Sequence, residues 1–216
     1  MDPGSYGDQL RYDTVGHVLA RLAGYGVVLT PHWPYMFERH QAGSDAVRVT
    51  RWTSSGPVQV VVQPDRLTEG REVVDVADGP SHPCWFVETS AFRLRWPAQF
   101  TIESPQDQAD STPFYLHGPG EATIFPQGPV PQERLADPHA LVAAGQTVLD
   151  HRVSEDGSTL TELGYQHNEE EWWQGHWTIR YDSDRLLVFT AQALSAHSTQ
   201  AREAAEVIAA SVERRQ

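Results

Sequence analysis

Residues 160–194 read LTELGYQHNEEEWWQGHWTIRYDSDRLLVFTAQAL. Three runs, 160–166, 172–181 and 185–194, are rich in β-branched, aromatic and aliphatic residues. They are parted by an acidic segment near 169–171 and by Asp182, Ser183 and Asp184. Short apolar runs with polar punctuation predict strands joined in order, here an antiparallel meander. Within the middle run Trp177, Ile179 and Tyr181 alternate with His176, Thr178 and Arg180, which assigns them to opposite faces of one strand.

Past the meander, Ser198 or Thr199 caps a helix whose Ala201, Ala204, Ala205, Ile208 and Val212 share one side. Arg214 and Arg215 suit its negative end. Before the meander, Asp137 followed by Pro138 predicts a helix start, with Leu141, Ala144 and Val148 as its buried stripe up to about Arg152. Strands are predicted where Phe92, Leu94 and Trp96 alternate with Arg93 and Arg95, at 100–103, and at 114–117 and 122–125 around Gly118, Pro119 and Gly120.

The first part of the chain has its own pattern. Asp13 caps a short helix carrying Val15, Val18, Leu19 and Leu22, stopped by Gly24 and Gly26, and strands follow at 27–30, 46–53, 57–63 and 72–76. Residues 78–83 hold two prolines, a glycine and no large apolar side chain, which marks a boundary. The expected organisation is an N-terminal α+β lobe over 1–85 and an α+β domain over 86–216, each an antiparallel sheet with helices packed on one face.

Composition removes several chemistries. The 216 residues carry net charge -13 with pI near 5.1, so the average field repels nucleic acid and anionic lipid. All 16 basic residues are Arg, in keeping with a GC-rich genome. Without lysine there is no Schiff-base lysine and no phosphate-loop lysine. One cysteine, Cys84, allows no intrachain disulfide and no multi-cysteine metal site, and beside Trp85 it reads as a small buried hydrophobe. The polar start lacks a basic, then apolar, leader, and no stretch approaches eighteen apolar residues. The expectation is a cytoplasmic protein with neither a membrane span nor a cofactor.

Residues 92–212 resemble the Mog1/PsbP-like family, including its actinobacterial lipoprotein members. The likeness lies in the phrase Phe92, Arg93, Leu94, Arg95, Trp96, Pro97, a following hairpin, a mid-domain helix, a three-stranded meander, and a closing helix after Leu187, Val188, Phe189 and Thr190. The resemblance implies a sheet backed by helices and a family mostly of non-enzymatic binding or assembly-helper proteins. Members are often exported or lipid-anchored, a signal this chain does not show, and the first 85 residues lie outside the likeness.

Two segments are candidates for function. Residues 166–177 concentrate two imidazoles, three carboxylates and three indoles. Trp172, Trp173, Glu170 and Glu171 there form a candidate surface for a protein partner or small apolar ligand, because indole supplies contact area and carboxylates meet a basic group. The competing reading is a solvated acidic turn leading into a core strand. Trp33, Tyr35 and Phe37, in a segment that holds prolines at 31 and 34, form a second aromatic group that either lines a groove or pins a loop to the core. Function is therefore expected to be non-enzymatic binding. The alternative is a small-molecule hydrolase or metal-assisted enzyme using His167, His176 and Glu169, although no HxH, HxxxH or HExxH spacing announces a metal site. His176 is expected to be mostly exposed, so that His176→Ala costs no more than about 1 kcal/mol.

Overall fold

The computed structural model describes residues 19–22, 27–29, 35–39, 47–53, 56–62, 85–89, 91–107, 109–137 and 139–214. Trp33, Cys84, Asp13, Arg215, the strand expected at 72–76 and the boundary expected at 78–83 lie outside the described residues. The described chain is mostly antiparallel sheet with one α-helix. No described helix is long and apolar enough to cross a membrane. Two compact units divide it, 1–116 with 211–216, and 117–210.

In the first unit, β1 (Leu19–Leu22) and β2 (Val27–Leu29) form a hairpin. A second pair, β3 (Tyr35–Arg39) and β4 (Val47–Thr53), continues into β5 (Gly56–Val62). The strand β6 (Trp85–Glu88) begins where a boundary was expected and pairs with β1 and with β7 (Phe92–Arg95) inside this unit. The short strand β8 (Thr101–Glu103) pairs with β3, and β9 (Tyr115–His117) lies at the division between the units. Phe92, Leu94 and Trp96 point inward as their alternation requires, and the Trp96 indole donates to the Phe100 carbonyl at 2.7 Å. Two expectations are corrected here. Leu19 and Leu22, read as part of a helix, lie in β1, where pairing on both sides outweighs the weak local preference of a short apolar run. The segment read as an aromatic loop enters β3 at Tyr35, and Phe37 is fully buried.

In the second unit the strands β10 (Thr123–Pro131), β11 (Thr147–Val153), β12 (Thr159–His167), β13 (Glu170–Arg180) and β14 (Arg185–Leu194) lie in the order β11-β12-β13-β14-β10. The meander is as the pattern required. Gly175 is obligatory in it, since a Cβ there would meet the Trp177 ring at 2.7 Å and the Trp173 ring at 2.8 Å. The helix α1 (Ser198–Ser211) buries Ala201, Ala204, Ala205 and Ile208 of the expected stripe, while Val212 lies past its end and is half-buried. Arg214 stands in β15 (Glu213–Arg214), which belongs to the first unit and pairs there with β7.

The helix expected from Asp137 to about Arg152 is absent. Asp137 Oδ1 accepts the His139 amide at 2.8 Å, an Asx turn, and isolated i to i+3 bonds follow until Gly145 turns the chain at φ +86°. Residues 147–153, rich in valine and leucine, then pair with β12. Local start signals were present, but no apolar stripe had anything to pack against: Val148 and Leu149 are exposed. The several helices expected on a sheet face reduce to one α-helix among the described residues.

Candidate functional site

The hairpin of β12 and β13 turns on two residues, Asn168 and Glu169, both with positive φ. That turn sets the register that makes Tyr165 and Trp172 cross-strand partners, and their rings stack at 6.2 Å with 19° between planes. Trp172 is half-buried, and its Nε1 is enclosed without a hydrogen-bond partner. Burial raises the Tyr165 phenol above its ordinary pKa.

Beside this pair, β11 carries a bulge: Val148 faces Leu163 and Asp150 faces Glu162, leaving Leu149 as the extra residue. Leu149 is 62% exposed, and its methyl carbons lie 3.4 Å from where a side chain on Gly164 would begin. The absence of that side chain leaves room between the strands. The result is an open groove of about 550 Å³ whose walls include Leu149, Tyr165, Trp172, Thr147 and Glu171. Two rings and a leucine give apolar contact, while Glu171 and Gln166 give the rim polarity.

A larger cavity, about 830 Å³, is lined by the hydroxyls of Thr159, Thr161 and Thr178, by His151 and by Arg180 and Arg185. No Phe, Tyr or Trp is among its lining residues, so an aromatic or apolar ligand finds no ring to stack on there.

The sequence-derived candidates separate. Glu170 and Glu171 are exposed at the start of β13, and Glu171 and Trp172 meet in the groove. Trp173 points the other way: it is 3% exposed, packs edge-on against Trp177, donates its indole N–H to Glu162 at 3.0 Å and carries the Arg202 guanidinium 5.1 Å above its ring. It is a packing residue, as is Phe37. Tyr35 lies in β3, and Trp33 is outside the described residues.

The imidazole and carboxylate group also comes apart. His167 is exposed with Nε2 3.1 Å from Asn168 Nδ2, and Glu169 occupies the turn. His176 lies six residues along β13 from Glu170, the cross-strand partner of His167, which is about 20 Å at strand rise. Among the described residues no three His, Cys, Asp or Glu side chains are placed to hold a metal. The expectation of an exposed His176 is overturned. It is 6% exposed, its Nδ1 lies 2.9 Å from Thr190 Oγ1, its Nε2 has no partner, and burial lowers its pKa to about 4.

Tyr165 and Leu149 were not singled out from the sequence. Tyr165 was reachable by counting back across a two-residue turn. Leu149 was not, because its position depends on a bulge that replaces an expected helix.

No family's profile matches this chain, and no curated protein matches it in sequence. Among solved structures it is similar to LpqN, involved in cell envelope biogenesis of Mycobacterium tuberculosis, at 17% identity and TM-score 0.42 over 58% of this chain and 83% of that one. Cyanobacterial PsbP from Synechocystis sp. PCC 6803 is similar at 10% identity and TM-score 0.36, over 58% and 88%. The immunity protein TplEi of a type VI secretion system from Pseudomonas aeruginosa is similar at 10% identity and TM-score 0.30, over 98% and 83%. These are distant likenesses in fold.

Proposed function

We propose that this chain is a non-enzymatic binding protein, and that its groove beside Tyr165 and Trp172 takes a small apolar ligand or an apolar side chain of a protein partner. The observation that carries this reading is the stacked pair of rings forming one wall of an open groove, with exposed Leu149 as another wall. Large apolar side chains left beside a concavity are costly in water unless something covers them. The volume of about 550 Å³ is within the range of small-molecule sites. The resemblance of residues 92–212 to the Mog1/PsbP-like family, mostly binding and helper proteins, accords with this, and a reducing cytoplasmic setting suits the lone Cys84.

A neutral apolar fluorophore such as N-phenyl-1-naphthylamine tests the proposal by titration. Binding is expected with Trp172→Ala weakening it by about tenfold, near 1.4 kcal/mol. The same variant should keep the cooperative unfolding of the parent. Equal affinity of the parent and of both Trp172→Ala and Tyr165→Ala would reject the groove as the site.

A further inference from the structure

We propose that the outer edge of β11 is an association surface for a second copy of this chain, the two strands pairing antiparallel about a two-fold axis at His151. Among the described residues β11 is the last strand in the order of its sheet and pairs with β12 alone, so one row of its backbone donors and acceptors faces away from that sheet. Six of its seven residues are exposed. Val148, Leu149 and Val153, at 40%, 62% and 65% exposure, are three of the four large apolar side chains exposed among the described residues. Such a strand is a template for pairing, and its side chains say with what.

The sequence across the strand is self-complementary. With the axis at His151, Asp150 of one copy faces Arg152 of the other, and Leu149 faces Val153, each pair occurring twice. Opposite charges directly across a sheet stabilise it, and like charges destabilise it. In an antiparallel pair facing residues must both point their amides toward the partner or both away, so the axis passes through a residue and moves in steps of one. A step one way sets Asp150 against its own copy, and a step the other way sets Arg152 against its own copy. Of these three registers, the one at His151 alone escapes both clashes, and it alone sets Asp150 against Arg152.

The charges on this edge therefore disfavour unrelated strands while accepting an identical one. His151 does not obstruct the axis, because its Nδ1 is held 2.9 Å from Thr161 Oγ1 of its own sheet. The bulge at Leu149 ends the regular edge, so regular pairing about His151 spans 150–152, with Leu149 and Val153 meeting at its two ends, and the contact is of the small, reversible class. Ligand binding in the groove is a separate matter. Association nevertheless would bring Val153 of the second copy beside Leu149, extending an apolar wall of that groove.

Sedimentation velocity of the full chain over a series of concentrations tests this, with folding checked by circular dichroism. The parent should shift from monomer towards dimer as concentration rises. Arg152→Asp and Asp150→Arg, each alone, should weaken association at least tenfold, about 1.4 kcal/mol. An equimolar mixture of the two variants should associate again, because carboxylates of one then face guanidinium groups of the other. Since Arg152 also touches Glu162 and, within its own strand, Asp150, reversal of either charge disturbs the single copy too, and Val153→Lys is a further variant that leaves these ion pairs intact and should likewise weaken the dimer. A parent that stays monomeric throughout, a dimer indifferent to Val153→Lys and to both reversals, or folded reversal variants that do not associate on mixing would each overturn the proposal.

Discussion

The Trp173 indole N–H donates to Glu162 Oε1 at 3.0 Å in the interior of the second unit, where Glu162 is only 4% exposed. Arg202 of α1 reaches the same oxygen at 2.8 Å through Nε, and Arg152 of β11 reaches Oε2 at 3.0 Å. One carboxylate on β12 thus ties together both flanking strands, β11 and β13, and the helix. A buried carboxylate is tolerated because its lone pairs are matched by charged and neutral donors.

Removing Glu162 leaves the indole donor orphaned and takes a carboxylate from Arg152, which still has Asp150, and from Arg202. Glu162→Ala is expected to lower unfolding free energy by about 3 kcal/mol, since both arginines can turn partly to solvent. Glu162→Gln retains an acceptor for Trp173 and should cost only about 1–2 kcal/mol. Urea unfolding of the two variants measures the difference. A loss under about 1 kcal/mol for Glu162→Ala would mean that the cluster does not anchor Trp173.

His176 makes stability depend on pH in a defined direction. Burial lowers its folded-state pKa to about 4 from an ordinary 6.5. Between those values the unfolded chain takes up a proton that the folded chain refuses, so stability rises with pH. The contribution is fully present above about pH 6.5 and is lost as pH falls towards 4, a span of about 3 kcal/mol. His176→Asn keeps a polar atom near Thr190 Oγ1 without a titrating ring, so its stability profile should be flatter than the parent's over that window. Parallel profiles would show that the imidazole is solvated. The same burial revises the earlier expectation for His176→Ala from about 1 kcal/mol to about 2–4 kcal/mol.

The sequence made the meander and the closing helix legible, because alternation over 172–181 and the alanine stripe of α1 are strong local patterns. It also placed His176 and Trp177 on opposite faces. It did not reveal that the His176 face is buried, since burial depends on what covers Thr161, Thr178 and Thr190, all under 5% exposed. Grouping Trp172 with Trp173 as one surface ignored the period of two, by which adjacent strand residues must point apart. The misread helix at 137–152 has another cause: a capping signal describes a start, while strand pairing with β12 was a distant partner's contribution.

Glu169 sits in the hairpin turn at φ +67°, beside Asn168 at φ +51°. Two successive positive φ angles are the signature of a type I′ turn, which favours Asn followed by Gly, and a side chain at the second position is strained against its own backbone. Glu169→Gly is expected to raise stability by about 0.5–1 kcal/mol, the relief of strain exceeding the added entropy of the unfolded chain. The substitution removes one carboxylate from an exposed turn already crowded by Glu170 and Glu171, which adds to the gain at low salt. It also removes Glu169 from the imidazole and carboxylate group once considered for a metal. Thermal unfolding of the variant with and without added zinc reads both effects. A higher midpoint with no zinc response in either protein is the expected result, and a parent stabilised by zinc through Glu169 would restore the metal reading.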